Sequence, residues 1–199
     1  MTRLFDLTVG LLALLVLSPL LCVIAILVRI DSSGPAFFRQ VRVGRDEIPF
    51  SILKFRSMRQ NNGLEPAGPL VTIEGDARIT RIGHILRSTK LDELPQLINV
   101  VRGDMSLVGP RPEVPKYVAE WTEEQRGIVL SVRPGITDPA SVKFRRESEL
   151  LAEQVDPESF YRTELLPLKA ELYADYVRNR SFGGDVKIIF GTLGSVFAK

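Results

Sequence analysis

With 199 residues, 45% apolar and 25% charged, the chain can bury one domain-sized core, which excludes wholesale disorder. The net charge is only +2, so the information lies in where the charges sit. One cysteine, Cys22, excludes an internal disulfide, and one histidine, His84, excludes a histidine-based zinc set. Residues 9–28 carry no charge and read VGLLALLVLSPLLCVIAILV. As one helix they would extend about 30 Å, the thickness of a hydrocarbon core. The stretch is long for a signal peptide, and no small-residue cleavage site follows it. Cys22 is expected to be a buried small hydrophobe in this run.

Ser18-Pro19 interrupts the run. Proline removes a backbone donor and favours a kink, and the Ser18 hydroxyl can satisfy the freed group. Arg3 precedes the run, and Arg29, Arg39, Arg42, Arg45, Lys54, Arg56 and Arg59 follow it, against Asp31, Asp46 and Glu47. Positive charge therefore does not separate the two ends. A kinked span and a bent re-entrant helix with both ends on the cytoplasmic face stay open, with a core helix as a third reading. Each arm of the re-entrant form would be about 15 Å, too short to cross. We divide the chain into an N-terminal membrane segment, 1–30, and the remaining domain, 31–199.

The basic segment 39–59 suits anionic headgroups, at about 1 kcal/mol per well-placed cation. Nucleic acid is set aside, because neither a stacking aromatic pattern nor a reading helix accompanies the charge. Residues 36–43 and 48–55 predict two strands joined by a turn at 44–47, with Pro49 at an edge or a strand start. Residues 60–76 read as a loop. Helical spacing of Ile79, Ile82 and Leu86 predicts a helix over 77–89, with Arg78, Arg81 and Arg87 near its other face. Asp92 fits the N-cap of a further helix, with Pro95 in its first turn and Gly103 as its stop.

A short apolar run at 105–108 leads into the rigid Gly109-Pro110-Arg111-Pro112-Glu113. Residues 113–126 look helical, 128–133 extended, and Pro134-Gly135 a turn. Residues 157–180 predict a helix bent at Pro167, with Tyr161, Leu165, Leu168, Leu172 and Tyr176 on its apolar face. The last helix, 182–198, would line up Val186, Ile189, Phe190, Leu193 and Phe197, at the membrane interface or in the core, with the interface favoured. The fold class is α/β and mostly helical.

Chemistry concentrates at Asp92-Glu93, which follow Arg78, Arg81 and Arg87 and precede Arg111. Arginine forks hold phosphates in bidentate contacts. Two carboxylates would repel a phosphate unless a divalent cation intervened, and Mg²⁺ suits oxygen ligands. An aspartate can also attack phosphorus. The plainer reading of the same residues is a helix cap beside a solvated acid. Pro110 and Pro112 hold Arg111 ready, or mark an ordinary surface turn. His84 reads as structural or exposed. Neither GxGxxG nor a Walker P-loop is present.

In combination, several segments resemble the bacterial sugar transferase family, the monotopic phosphoglycosyl transferases. They are Ser18-Pro19, KFRSM within 50–58, RSTKLDELPQ at 87–96, Asn99, RGDMS at 102–106, VGPRP at 108–112 and RPGIT at 133–137. The match runs from the membrane segment to about Phe190 and looks like the small form of the family, without further N-terminal spans. The resemblance implies a re-entrant helix broken at Ser18-Pro19, Asp92 as nucleophile, Glu93 as its partner, and a requirement for Mg²⁺. It further implies that Arg87 holds the phosphate region and that Arg111, between Pro110 and Pro112, lies in the nucleotide-sugar site.

The donor would be a UDP-sugar, the acceptor a polyprenol phosphate such as undecaprenyl phosphate, and the place the cytoplasmic face of the bacterial inner membrane. The Asp92 route is a two-step covalent one. Direct attack in a ternary complex and a non-enzymatic basic membrane module stay open, as does a homodimer. Many relatives read TGLAQ where this chain has Thr137-Asp138-Pro139-Ala140-Ser141, a departure expected to alter a loop near donor or acceptor.

Overall fold

A computed structural model describes residues 3–59 and 71–197; most of the expected loop at 60–76 lies outside them. The first element, α1 (Arg3–Asp31), is helical through Pro19 and is long and apolar enough to cross a membrane. Ser18 Oγ donates to the Leu15 carbonyl at 2.8 Å. That carbonyl lies four residues before Pro19 and is the one the missing proline N–H leaves unpaired. One face of α1 packs along the rest of the protein through Phe5, Val9, Leu14, Leu17, Ile24 and Val28. The opposite face exposes Leu11, Leu15, Val16, Val23, Ile26 and Ile30. Cys22 is also exposed, against expectation, because the helix buries only one stripe of its apolar circumference.

Both ends of α1 are fastened to the same body. At the start, Arg3 donates to the carbonyls of Val100 and Val101, and the buried Asp6 accepts from Ser106 Oγ at 2.8 Å and Leu107 N at 3.1 Å. At the finish, Asp31 accepts from Ile82 N at 3.0 Å, and Arg56 Nη2 donates to the carbonyls of Val28 and Ser32. Of these groups, the Val28, Val100 and Val101 carbonyls and the Ile82 amide lie at helix ends, where backbone groups lack partners within the helix.

The predicted hairpin is present as β1 (Phe37–Val43) and β2 (Pro49–Phe55), antiparallel, with Phe37 opposite Phe55 and Val43 opposite Pro49. Pro49 opens its strand, where it interrupts no ladder. The segment 39–59 is not one basic face. Arg39, Arg45 and Arg59 are exposed, whereas Arg42, Lys54 and Arg56 turn inward toward carboxylates or carbonyls. Strand alternation divides them in a way that charge counting does not show.

Helix α2 (Arg81–Ser88) starts later than expected, because Thr80 caps it by accepting from Gly83 N at 3.0 Å. Asp92 is not an N-cap. Leu91–Glu93 forms a 3₁₀ turn after Lys90, whose φ is 57°, and Pro95 caps α3 (Gln96–Arg102). Gly103, at φ 97°, ends α3 in the left-handed conformation that glycine tolerates.

The run at 105–108 yields β3 (Ser106–Val108), fully buried and parallel to β4 (Gly135–Thr137). Between them lie α4 (Pro115–Val118) and α5 (Glu123–Val129). The expected strand at 128–133 is therefore absent. Thr122 and Gln125 form a capping box whose helix runs into that stretch, and Gly135 starts a strand rather than a turn.

Three short helices follow: α6 (Pro139–Lys143), α7 (Glu147–Ala152) and α8 (Pro157–Phe160). A π-turn at Tyr161–Leu165 joins α8 to α9 (Leu166–Arg178), and Pro167 falls in the first turn of α9. The wider π-turn rotates the helix face. Leu168, expected inside, is exposed, while Lys169, Ala170, Tyr173 and Ala174 are buried. The last helix, α10 (Phe182–Phe197), sets Ile188 and Ile189 into the core beside α1 and exposes Phe190.

Candidate functional site

Three elements converge on the acidic pair. The 3₁₀ turn presents Asp92 and Glu93, β2 presents Lys54, and the loop after β3 presents Arg111. Lys54 Nζ donates to Glu93 Oε1 at 2.7 Å, and Arg111 Nη2 donates to the same oxygen at 2.6 Å. Burial works to raise the Glu93 carboxyl, but the charges and hydrogen bonds of Arg111 and Lys54 prevail and hold it well below the usual carboxylate range. Arg111 is raised by Glu93 in return, and Lys54 is lowered by burial despite Glu93.

Asp92, next in sequence, has the opposite environment. It is buried, and no described side chain forms an ion pair with it. Burial pushes its carboxyl up, the Glu93 charge adds to this, and Lys54, Arg87 and Lys90 act against it. The two carboxylates therefore divide the work: Glu93 anchors cations, and Asp92 carries an uncommitted carboxyl group. A group of this kind can act as a nucleophile or bind a cation.

Arg111 is held by its flanks. Pro110 O accepts from Gly135 N at 2.9 Å, and Pro112 O accepts from Arg42 Nη1 at 3.1 Å. Beyond Pro112, the buried Glu113 faces Arg42 at 3.6 Å and accepts from Tyr161 Oη at 3.0 Å. The loop is thus tied to β4 on one side and to the hairpin and the π-turn on the other. Its arginine can meet an anion with little ordering left to do.

Of the other expected phosphate ligands, Arg87 is half-buried and its charge acts on Asp92. Arg78 pairs with Asp76 at 2.6 Å, and Arg81 is exposed on the first turn of α2, so the described contacts of the acidic pair come from Lys54 and Arg111 instead. His84 is exposed.

Two residues were not among the sequence candidates. Lys54 lies in the basic segment 39–59, and its place between the apolar Leu53 and Phe55 is the sequence signal for an inward-facing cation. Asp138, in the segment that departs from the family pattern, caps α6 by accepting from Ser141 N at 2.8 Å. It is fully buried, and its charge acts on Arg111.

Among the described residues, no group of three or more His, Cys, Asp or Glu is gathered for a metal. Two adjacent carboxylates nevertheless fit the donor chemistry of an Mg²⁺-type ion, which completes its shell with substrate phosphates and water.

The profile of the family described as "Bacterial sugar transferase" matches residues 1–199. The chain is 37% identical over 193 residues to a UDP-glucose:undecaprenyl-phosphate glucose-1-phosphate transferase of Escherichia coli (strain K12), covering 94% of this chain and 38% of the relative. It is 36% identical over 194 residues to a UDP-N-acetylgalactosamine-undecaprenyl-phosphate N-acetylgalactosaminephosphotransferase of Aeromonas hydrophila, covering 96% and 42%. It is 38% identical over 203 residues to the exopolysaccharide production protein PSS of Rhizobium leguminosarum bv. phaseoli, covering 97% and 93%. The chain thus spans less than half the length of the first two relatives.

Proposed function

Because the chain belongs to the bacterial sugar transferase family, we propose that it moves a sugar-1-phosphate from a UDP-sugar to a polyprenol phosphate, with undecaprenyl phosphate as the acceptor, and releases UMP. Two relatives that differ in sugar share the UDP donor and the undecaprenyl acceptor in their names, which supports this choice of substrates. The observation that carries the chemistry is the contrast within the acidic pair: Glu93 is neutralised by Lys54 and Arg111, and Asp92 is buried without an ion pair among the described residues.

In the reading we favour, an Asp92 carboxylate oxygen attacks the sugar-linked phosphorus. The bond from that phosphorus to the bridging oxygen breaks, and UMP leaves with the electron pair. A phosphate oxygen of the polyprenol phosphate then attacks the same phosphorus and releases the Asp92 carboxylate. One phosphoanhydride is broken overall and another is made, so no ATP is required. Arg111 and Arg87 orient the donor phosphates, and Lys54 keeps Glu93 ionised beside them. Asp92 and Glu93 are the residues that would hold Mg²⁺, which would supply charge screening for the diphosphate.

The anchoring of α1 supports a re-entrant placement on the cytoplasmic face of the bacterial inner membrane. Its Arg3 and Asp31 ends both bond to one body and its other face exposes apolar side chains, which supports a helix that enters and leaves on the same side of a bilayer. The acceptor's phosphate lies at the interface, so a site held at that depth meets it at high local concentration.

The test is an intact-mass measurement of the purified protein incubated with UDP-sugars in the absence of lipid acceptor. Wild type should gain the mass of one sugar phosphate, and Asp92→Asn should not. Full turnover by a folded Asp92→Asn protein would reject the nucleophile. Direct transfer in a ternary complex would instead give intersecting double-reciprocal lines, against parallel lines for the two-step route.

A further inference from the structure

Helix α10 touches both α1 and β4, the strand hydrogen-bonded to the Arg111 loop. Its Phe182 ring meets Phe5 of α1 edge-on, with centroids 5.5 Å apart, and its Ile188 and Ile189 enter the core beneath α1. One turn further on, Thr192 Oγ1 donates to Ile188 O at 3.0 Å and shares a short hydrogen bond with Thr137 Oγ1. With its own proton directed at Ile188, Thr192 is the acceptor in that bond and Thr137 the donor.

Thr137 is the last residue of β4. Its carbonyl accepts from Gly109 N at 3.1 Å, and two residues earlier Gly135 N donates to Pro110 O at 2.9 Å. The backbones leave no slack here. A Cβ on Gly109 would fall 2.4 Å from Arg133 O, and one on Gly135 would fall 2.1 Å from Gly109 N. A displacement of β4 therefore passes directly to Pro110 and so to Arg111, the next residue. Closely packed elements transmit shifts of this kind rather than absorb them.

We propose that Thr192 is a positioning residue for Arg111, acting through the Thr137 hydroxyl and β4, so that the seating of α10 beside α1 sets the arginine that receives the donor phosphates. This rests on the transferase reading given above. The strut differs from the Glu93 ion pair, which holds the tip of Arg111, because it holds the backbone from which the side chain springs. Loss of the Thr192 hydroxyl should loosen Arg111 before donor binds, which weakens donor capture more than it slows chemistry.

The test uses the full chain in lipid nanodiscs, with UMP release measured against UDP-sugar concentration at saturating polyprenol phosphate. Thr192→Val, nearly isosteric, should raise the donor KM about three- to tenfold, with a smaller change in kcat, for the loss of the hydrogen bond that joins α10 to β4. Thr192→Ser, which restores the hydroxyl, should return the donor KM to wild type. Thr137→Val should give the same rise, and the double variant should be no worse than either single. An unshifted donor KM in Thr192→Val overturns the proposal, as does Thr192→Ser failing alongside it or additive effects in the double variant. A wild type that releases no UMP with any UDP-sugar overturns the transferase reading itself, whereas an active wild type with an unshifted Thr192→Val overturns the strut alone.

Discussion

The ends of α1 and the surroundings of Arg111 are both held by buried polar contacts, but by different kinds. At α1, single side chains grip backbone groups: Arg3 and Arg56 take carbonyls, and Asp6 and Asp31 take amides. Around Arg111, charged side chains grip one another, with Lys54 and Arg111 on Glu93 and Arg42 and Tyr161 on Glu113. The first arrangement fixes where a helix lies and tolerates loss of a member at the cost of a few hydrogen bonds. The second ties the ionisation of each member to all the others, so losing one leaves charge buried without compensation. The comparison teaches that this protein places its long apolar helix by backbone recognition and sets the state of its acidic pair by charge.

The largest expected effect tests the charge side. Glu93→Gln should lower stability by about 3 kcal/mol, because two cations lose their shared partner. Asp92→Asn, one residue away, should leave the melting temperature unchanged or raise it, since burial opposes the ionised form of Asp92. Thermal unfolding of the two variants in the same detergent checks the opposite signs, and equal destabilisation would erase the contrast between the carboxylates.

The next effect tests the helix side. Asp6→Ala should cost about 2 kcal/mol by stranding Ser106 Oγ and the Leu107 amide, both of which it accepts from. Its effect on donor KM in nanodiscs should be smaller than that of Thr192→Val, because Asp6 holds the start of β3 from outside the Glu93–Arg111 cluster. A large KM change would show that the two regions are coupled more tightly than their contacts imply.

The smallest effect sharpens the charge side through pH. The Tyr173 phenol is fully buried, and burial, followed by Asp138, pushes its ionisation well above the ordinary range. In the unfolded chain a tyrosine loses its proton near pH 10, whereas the folded one keeps it. Its stabilising contribution is therefore complete below about pH 10 and is lost as pH rises past that value. Tyr173→Phe should be near neutral at pH 8, since the buried hydroxyl has no hydrogen-bond partner among the described residues. Between about pH 8 and 10.5 the variant should lose roughly 1 kcal/mol less stability than wild type, read by denaturant titration at each pH. An identical loss would place the ionisation elsewhere.

Much of the site was legible in the chain, for reasons specific to each residue. Asp92-Glu93 stood out because adjacent acids among arginines are costly without a purpose, and Arg111 because two prolines flank it. The hairpin was legible from alternation ended by turn residues, and the Ser18 contact to Leu15 from the rule that proline frees the carbonyl four residues back. Arg78 looked equivalent to Arg87, yet it pairs with Asp76 while Arg87 acts on Asp92, because a local acid two residues away captures it first.

The parallel pair β3 and β4 left no pattern, since three fully buried residues show no alternation and their partners lie about thirty positions apart. Leu168, expected on the apolar face, is exposed because a π-turn lies just before it, whereas Tyr161, Leu165 and Tyr176 of that face are buried as expected.

By itself the sequence determined the local matters: an apolar helix relieved at its proline, a hairpin, a family and an acidic pair. These depend on neighbours a few residues away, where steric and hydrogen-bonding rules act without knowledge of the rest of the chain. Only the tertiary structure decided which carboxylate is neutralised, that Lys54 rather than Arg78 or Arg81 reaches it, and that both ends of α1 attach to one body. Those outcomes depend on burial and on charges brought together from distant segments, and the energy of a charge is set by what surrounds it in space.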